Sequence, residues 1–180
     1  KTKQKGFTMI EILIVICTVA VFGSITTLML SNASRIYSNS LKKQKLISES
    51  RSTFFKILRE SSWQKSHYSF EGGNNKMITI NPSDGNSIIY ELRPTNDIFH
   101  SNDQVNDGLS KIINDNIDFS NSLITYKNNN NNSINIETQI SDINSIELTL
   151  KFIDENLDLL FHSKITPYNL RLGKSMSYHD

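Results

Sequence analysis

The sequence predicts an α+β fold: one long N-terminal helix, transmembrane in its first half and amphipathic in its second, packed on an antiparallel β-sheet. Three observations carry that expectation. Residues Ile12 to Ser34 contain no charged side chain. No proline or glycine occurs from Ser24 through Glu71. Beyond that stretch, apolar and polar residues alternate in short runs separated by Asn, Gly, Pro and Ser, the pattern of strands and turns rather than of further helices.

The helix comes first. The 23 residues from Ile12 to Ser34 rise about 34 Å as a helix, enough to cross a hydrocarbon core of about 30 Å. Three lysines precede the run, and Arg35, Lys42, Lys43 and Lys45 follow it, so flanking charge alone leaves the orientation open. A short basic N-terminus kept in the cytoplasm, with the rest exported, is the simpler topology. An apolar run of this length also fits a secretory signal peptide, with Ser31-Asn32-Ala33 as its small-residue cleavage site, a bitopic anchor, or a buried helix of a soluble protein. The run exceeds the usual 7–15 residues of a signal peptide's apolar region, and Glu11 interrupts its start, which disfavours the first. From Arg35 the helix turns amphipathic: Tyr37, Leu41, Ile47, Phe54 and Leu58, widened by Ile36, Leu46, Phe55 and Ile57, form an apolar stripe. Gly23 is its weak point, at about 1 kcal/mol relative to Ala. The helix is expected to end by Trp63 to His67; Trp63 and Phe70 near its end could form a partner surface, but sealing the sheet edge onto the helix is the favoured reading.

The strands follow. "KMITINPSDGNSIIYELR" reads as a hairpin around Asn81–Asn86, with Ile78 and Ile80 on one strand and Ile88, Tyr90 and Leu92 on the other sharing a face. Arg93 to Asn116 is ambiguous, and its Leu109, Ile112, Ile113 group fits a helical turn or an edge strand. "IDFSNSLITY" and "SINIETQI" are expected to pair across the tract Asn128 to Asn132, a solvated low-complexity connection. "SIELTLKFID" places Ile146, Leu148, Leu150 and Phe152 on one face, and "DLLFHSKITPYNLRL" supplies the last strand, ending near Pro167 or continuing to Leu172.

Composition bounds the function. A chain of 180 residues predicts one domain, or a domain with an appendage. Its hydrophobic fraction of 37% is modest and concentrated near the N-terminus, so the Asn-rich remainder has a core of limited size. The formal charge is +1, and loss of Lys1, Lys3 and Lys5 leaves 16 basic against 18 acidic residues. That balance argues against a nucleic-acid partner. The single cysteine, Cys17, excludes an intramolecular disulfide and reads as a small buried hydrophobe.

One residue resists this account. Glu11 stands at the edge of the apolar run, and a carboxylate in hydrocarbon costs a few kcal/mol unless it is paired. Around it, Lys5-Gly6-Phe7-Thr8-Met9-Ile10-Glu11-Ile12-Leu13-Ile14-Val15-Ile16 resembles the leader junction of type IV pilins and type II secretion pseudopilins. The resemblance implies cleavage between Gly6 and Phe7 by a membrane-embedded leader peptidase, N-methylation of Phe7, and a role for Glu11 in filament assembly through the Phe7 amine of a neighbouring subunit. It also implies the domain layout: 1–6 a leader, expected to be incomplete because it begins at Lys1 rather than Met; 7–34 the transmembrane and filament-core helix; 35–62 the amphipathic half; 63–180 the β head. The implied partners are other pilin or pseudopilin subunits, the leader peptidase and methyltransferase, and a membrane assembly platform. The implied location is the cytoplasmic (inner) membrane, with the head extracytoplasmic, then the filament or cell surface. A minor pilin or minor pseudopilin fits the bulky, loop-rich head better than a tightly repeated shaft subunit does.

No enzyme and no cofactor are expected. His67, His100, His162 and His179 are scattered without metal-ligand spacing, and no glycine-rich phosphate loop or nucleophile motif occurs. Asp103 and Asp107-Gly108, and Asn114-Asp115-Asn116-x-Asp118, faintly resemble calcium loops, but Val105 and Asn114 occupy would-be ligand positions, so solvated turns are the better reading. Two other functions remain open at this stage. One is an unprocessed bitopic protein whose extracytoplasmic domain binds a partner, for example DNA or an adhesion target; the other is a soluble domain released after Ala33.

Overall fold

The computed structural model describes residues 6, 8–66, 70, 72–82, 86–102, 111–154 and 157–170. They form two compact units, Lys1–Gln44 and Lys45–Asp180. The class is α+β, as the alternation of patterns predicts.

Helix α1 runs Met9–Ser62 and passes through Gly23 without interruption. Its first unit is exposed along its length. Hydroxyls back-bond to the preceding turn around the glycine: Ser24 Oγ donates to Ala20 O at 2.6 Å, Thr26 Oγ1 to Phe22 O at 2.8 Å and Thr27 Oγ1 to Gly23 O at 2.8 Å. Polar side chains thereby satisfy themselves within an apolar helix. Ser31, Asn32 and Ala33 lie within this continuous helix. Cys17 is exposed on it, as are its apolar neighbours Ile16 and Val19.

In the second unit the same helix buries Leu46, Ser50, Thr53, Phe54, Ile57 and Ser61, a stripe at helical spacing. The stripe is narrower than expected: Ile36, Tyr37 and Leu41, all in the first unit, are exposed, as is Phe55. Small Ser50 and Ser61 alternate with Phe54 and Ile57, so the backbone can approach the sheets closely.

Two antiparallel sheets replace the single one expected. Strands β1 (Met77–Ile80), β2 (Ile88–Leu92), β3 (Ile98–Asn102) and β4 (Lys111–Asn114) form the first in that order. The predicted hairpin is present, with Ile80 opposite Ile88 and Ile78 opposite Tyr90. Its turn residues 83–85 lie outside the described set. In the ambiguous region, Ile112 and Ile113 belong to an edge strand, β4, while Leu109 lies outside the described residues. The second sheet is β5 (Leu123–Lys127), β6 (Ser145–Asp154) and β7 (Leu157–Ile165), ordered β5-β6-β7. The last strand stops before Pro167.

The pairing expected across the asparagine tract is corrected. β5 pairs with β6, with Ile124 opposite Leu148, and "SINIETQI" instead contains the short helix α2 (Ile136–Gln139) and a 3-10 turn, Ile140–Asp142. Asn128 Oδ1 accepts from the amides of Asn130 and Asn132 at 3.0 and 2.9 Å, and Asn131 adopts φ 64°, a conformation Asn tolerates. The returning chain makes only an isolated bridge, Lys127 opposite Ser133, with Ile134 N donating to Tyr126 O at 3.0 Å and Asn128 N to Asn132 O at 3.1 Å. Asn135 then caps α2 by accepting from Glu137 N at 3.0 Å, turning the chain out of register with β5.

A single cluster joins helix and sheets in this unit. Phe54 and Ile57 meet Ile78, Ile80, Tyr90, Leu92 and Ile98 of one sheet and Ile124, Tyr126, Ile146, Leu148, Leu150 and Phe152 of the other. Each full burial of such a side chain is worth about 1.5–3 kcal/mol. Phe70 is fully buried and meets Tyr126 edge-on, with centroids 5.7 Å apart, the sealing role expected of it. Trp63 does not share that role: it is 58% exposed, because the helix ends at Ser62 with its buried stripe on the opposite side.

Candidate assembly and membrane site

The N-terminal turn of α1 is built by Thr8 and Glu11. Thr8 precedes the first helical residue, and Glu11 lies three positions on. Thr8 N–H donates to Glu11 Oε2 at 2.8 Å, Thr8 Oγ1 donates to the same oxygen at 2.9 Å, and Glu11 N donates to Thr8 O at 3.1 Å. The carboxylate reaches back to the cap residue, half of a capping box. The T-x-x-E spacing ahead of an apolar run signals this motif, and reasoning that treated Glu11 only as a stranded acid missed it. Oε2 is engaged with Thr8, while Oε1 makes no hydrogen bond among the described residues. Gly6 is exposed, and a Cβ added there would meet nothing within 4 Å. Phe7 lies outside the described residues.

Beyond this turn the helix is apolar around its circumference. Met9, Ile10, Leu13, Ile16, Phe22 and Leu30 are each at least 59% exposed. This is the one described helix long and apolar enough to cross a membrane. An uncovered surface of that extent is far beyond the few hundred Å² that soluble monomers expose. It calls for lipid or for other protein.

The head offers other constellations. An open groove of about 380 Å³ lies between Arg59 and Glu60 of α1, Trp63 just beyond its end, and Ile80, Pro82 and Ile88. Beside it the Tyr90 hydroxyl donates to the Glu60 carboxylate, and burial together with that carboxylate pushes the phenol well above its ordinary range. His100 packs against Tyr90, with ring centroids 5.0 Å apart; burial and then nearby Lys56 push its imidazole below the ordinary value. A second, more polar groove of about 660 Å³ is bordered by Asn74, Asn75, Leu123, Tyr126 and Asn135.

On the outer face of the second sheet, Thr149 Oγ1 lies 3.0 Å from His162 Nδ1, and Glu147 bridges His162 Nε2 at 3.2 Å and Lys127 Nζ at 3.0 Å. Hydroxyl, imidazole and carboxylate in that order are the parts of an activated nucleophile. They line neither groove, however, and His162 is exposed. The arrangement fits cross-strand polar pairing, worth about 0.2–1 kcal/mol per pair.

The calcium-loop spacing is taken up internally where it is described. Asn114 Oδ1 accepts from Asn116 N at 2.9 Å. Asp118 accepts from Asn121 N at 3.1 Å and Nδ2 at 2.7 Å and faces Lys151 Nζ at 3.4 Å; the Asn121 bonds come first among the causes holding its carboxyl below the usual range. Among the described residues no three His, Cys, Asp or Glu side chains converge. Asp103, Val105, Asp107, Gly108, His67 and His179 lie outside the described set. Comparison with models of known families, with curated proteins and with solved structures finds no match for this chain.

Proposed function

We propose that this chain is a structural subunit of a membrane-assembled filament. In this reading it is a minor pilin or pseudopilin of a type IV pilus, type II secretion or competence system, cleaved after Gly6, methylated on Phe7 and assembled through its N-terminal helix. The observation that carries the reading is the exposed apolar surface from Met9 to Leu30, which holds a single charged residue, Glu11, in its first turn. Lipid covers such a surface before assembly, and neighbouring copies of the helix cover it afterwards. The new amine at Phe7 is a cation, and the Glu11 carboxylate of an incoming subunit neutralises it within the apolar bundle. Removing one partner of a buried pair typically costs about 3–5 kcal/mol. Glu11 can serve both ends, because Oε2 holds the Thr8 cap while Oε1 remains to accept a neighbour's amine.

Mass spectrometry of the membrane-extracted protein tests the processing step: a species beginning at N-methylated Phe7 is expected. An intact leader would instead favour the bitopic binding protein, and a smaller species beginning after Ala33 the released domain. Two substitutions separate the two duties of Glu11. Glu11→Gln keeps a side chain able to close the capping box but removes the charge, and is expected to abolish fibre formation. Thr8→Ala removes the hydroxyl and keeps the charge, and is expected to leave assembly largely intact. The opposite result, with the glutamine variant polymerising as the parent does, would reduce Glu11 to a helix cap.

A further inference from the structure

We infer that the segment immediately after the apolar run, residues 35–43, is a binding surface for the anionic phosphate headgroups of a bilayer. The inference rests on the membrane-anchored reading above. Between Glu11 and Glu49 the chain has no acidic residue, and its four basic residues there, Arg35, Lys42, Lys43 and Lys45, fall within eleven positions. All four are exposed. Lys45 faces Glu49 at 3.8 Å, whereas Arg35, Lys42 and Lys43 make no ion pair among the described residues. The charge is local to this segment: from Leu46 onward the chain carries 12 basic and 17 acidic residues.

Geometry puts Arg35 at the level of the phosphates, and Lys42 and Lys43 within side-chain reach of it. Arg35 and Lys42 are seven residues apart, so they stand almost on one line of the helix, with Lys43 beside it. Counting from Ser34, where the uncharged run ends, Arg35 sits at the edge of the hydrocarbon, and Lys42 and Lys43 about 12–14 Å farther out. The headgroup layer on each side is about 5–7 Å deep, and lysine stems can bend back toward the boundary while keeping the ammonium in the polar layer. Exposed Ile36 and Tyr37 lie between them; an aromatic with a polar tip is the residue type that settles at this interface. The bases thus fix how deeply the helix sits and hold unassembled subunits in anionic regions of the membrane.

The experiment uses the full-length protein in vesicles of equal parts phosphatidylglycerol and phosphatidylcholine. Lipids that remain bound after detergent extraction are counted by native mass spectrometry for the parent, for R35Q/K42Q/K43Q and for K1Q/K3Q/K5Q. The parent is expected to retain phosphatidylglycerol in about five-fold or greater excess, the effect of a single base near an anionic surface. The neck variant should fall toward the bulk ratio, and the leader variant should keep the excess. An inserted parent that retains the two lipids equally, or a neck variant with an unchanged ratio, overturns this inference and leaves the anchoring intact. Dimers that form in pure phosphatidylcholine and vanish in the neck variant would make the acidic surface of a second copy the ligand, and overturn it as well. Release of the parent by an alkaline carbonate wash overturns the anchored reading and this inference with it.

Discussion

Gly73 shows how little slack the head has at single positions. A Cβ there would come within 2.6 Å of the Tyr126 hydroxyl and 3.0 Å of Phe70 O. The hydroxyl is not free to retreat, since it donates to Met77 O at 3.1 Å and its ring packs against buried Phe70. Gly73→Ala is therefore expected to destabilise the head by about 1–3 kcal/mol. Trp63→Ala should stay within about 0.5 kcal/mol, because the exposed indole contributes little to the core; urea midpoints measured side by side check both. Trp63 also marks a limit of reading residues alone. Trp63 and Phe70 both follow the amphipathic stripe, but only the position of the helix end relative to that stripe decides which is buried. Glu11 is the opposite case. The oddity of an acid at the margin of an apolar run is plain in the sequence, and so is the T-x-x-E spacing that gives it a local partner in Thr8. The pairing with a neighbour's amine proposed for it would involve a second molecule, which one chain does not contain.

At the scale of elements, the strands that were legible are those whose alternation runs long. Ile146, Leu148, Leu150 and Phe152 are all buried, and ten residues of period-2 pattern leave β6 no alternative register. β3 was hidden, because after Ile98 and Phe99 it continues as His100, Ser101 and Asn102; it lies between β2 and β4, where backbone pairing rather than side-chain pattern holds it. "SINIETQI" misleads in the other direction. Ile134 and Ile136 alternate like a strand, yet Asn135 between them accepts from Glu137 N and starts a helical turn. Replacing that cap removes the acceptor without touching the core, so Asn135→Ala should cost about 1 kcal/mol. Asn135→Asp, which keeps an acceptor, should restore most of it. Chemical denaturation of the three proteins decides the point, and equal stability of all three would mean that packing of Ile136, not the cap, sets the turn.

Across the whole molecule, acid acts on the head through groups that are distant in sequence. His100 titrates below its ordinary value of 6.5 in the folded state because burial and then Lys56 disfavour its charge. Well above pH 6.5 it is neutral whether folded or unfolded. Below that pH the unfolded chain binds a proton that the folded one refuses, and stability falls until the folded value is reached. Asp118, held below its ordinary 3.8 chiefly by Asn121, adds stability that is present above that value and lost as pH drops through the folded one. The urea midpoint of the parent is therefore expected to decline from pH 7 to pH 5, and that of His100→Gln to decline less; an equally steep variant would remove His100 as the cause. Among the described residues the core of the second unit starts at Leu46. Its cohesion consequently has no term that refers to what surrounds the leading segment. On the filament reading proposed above, a subunit drawn out of oil into a fibre would keep the same folded payload throughout the journey, and the work of the transfer would fall on the greasy stem.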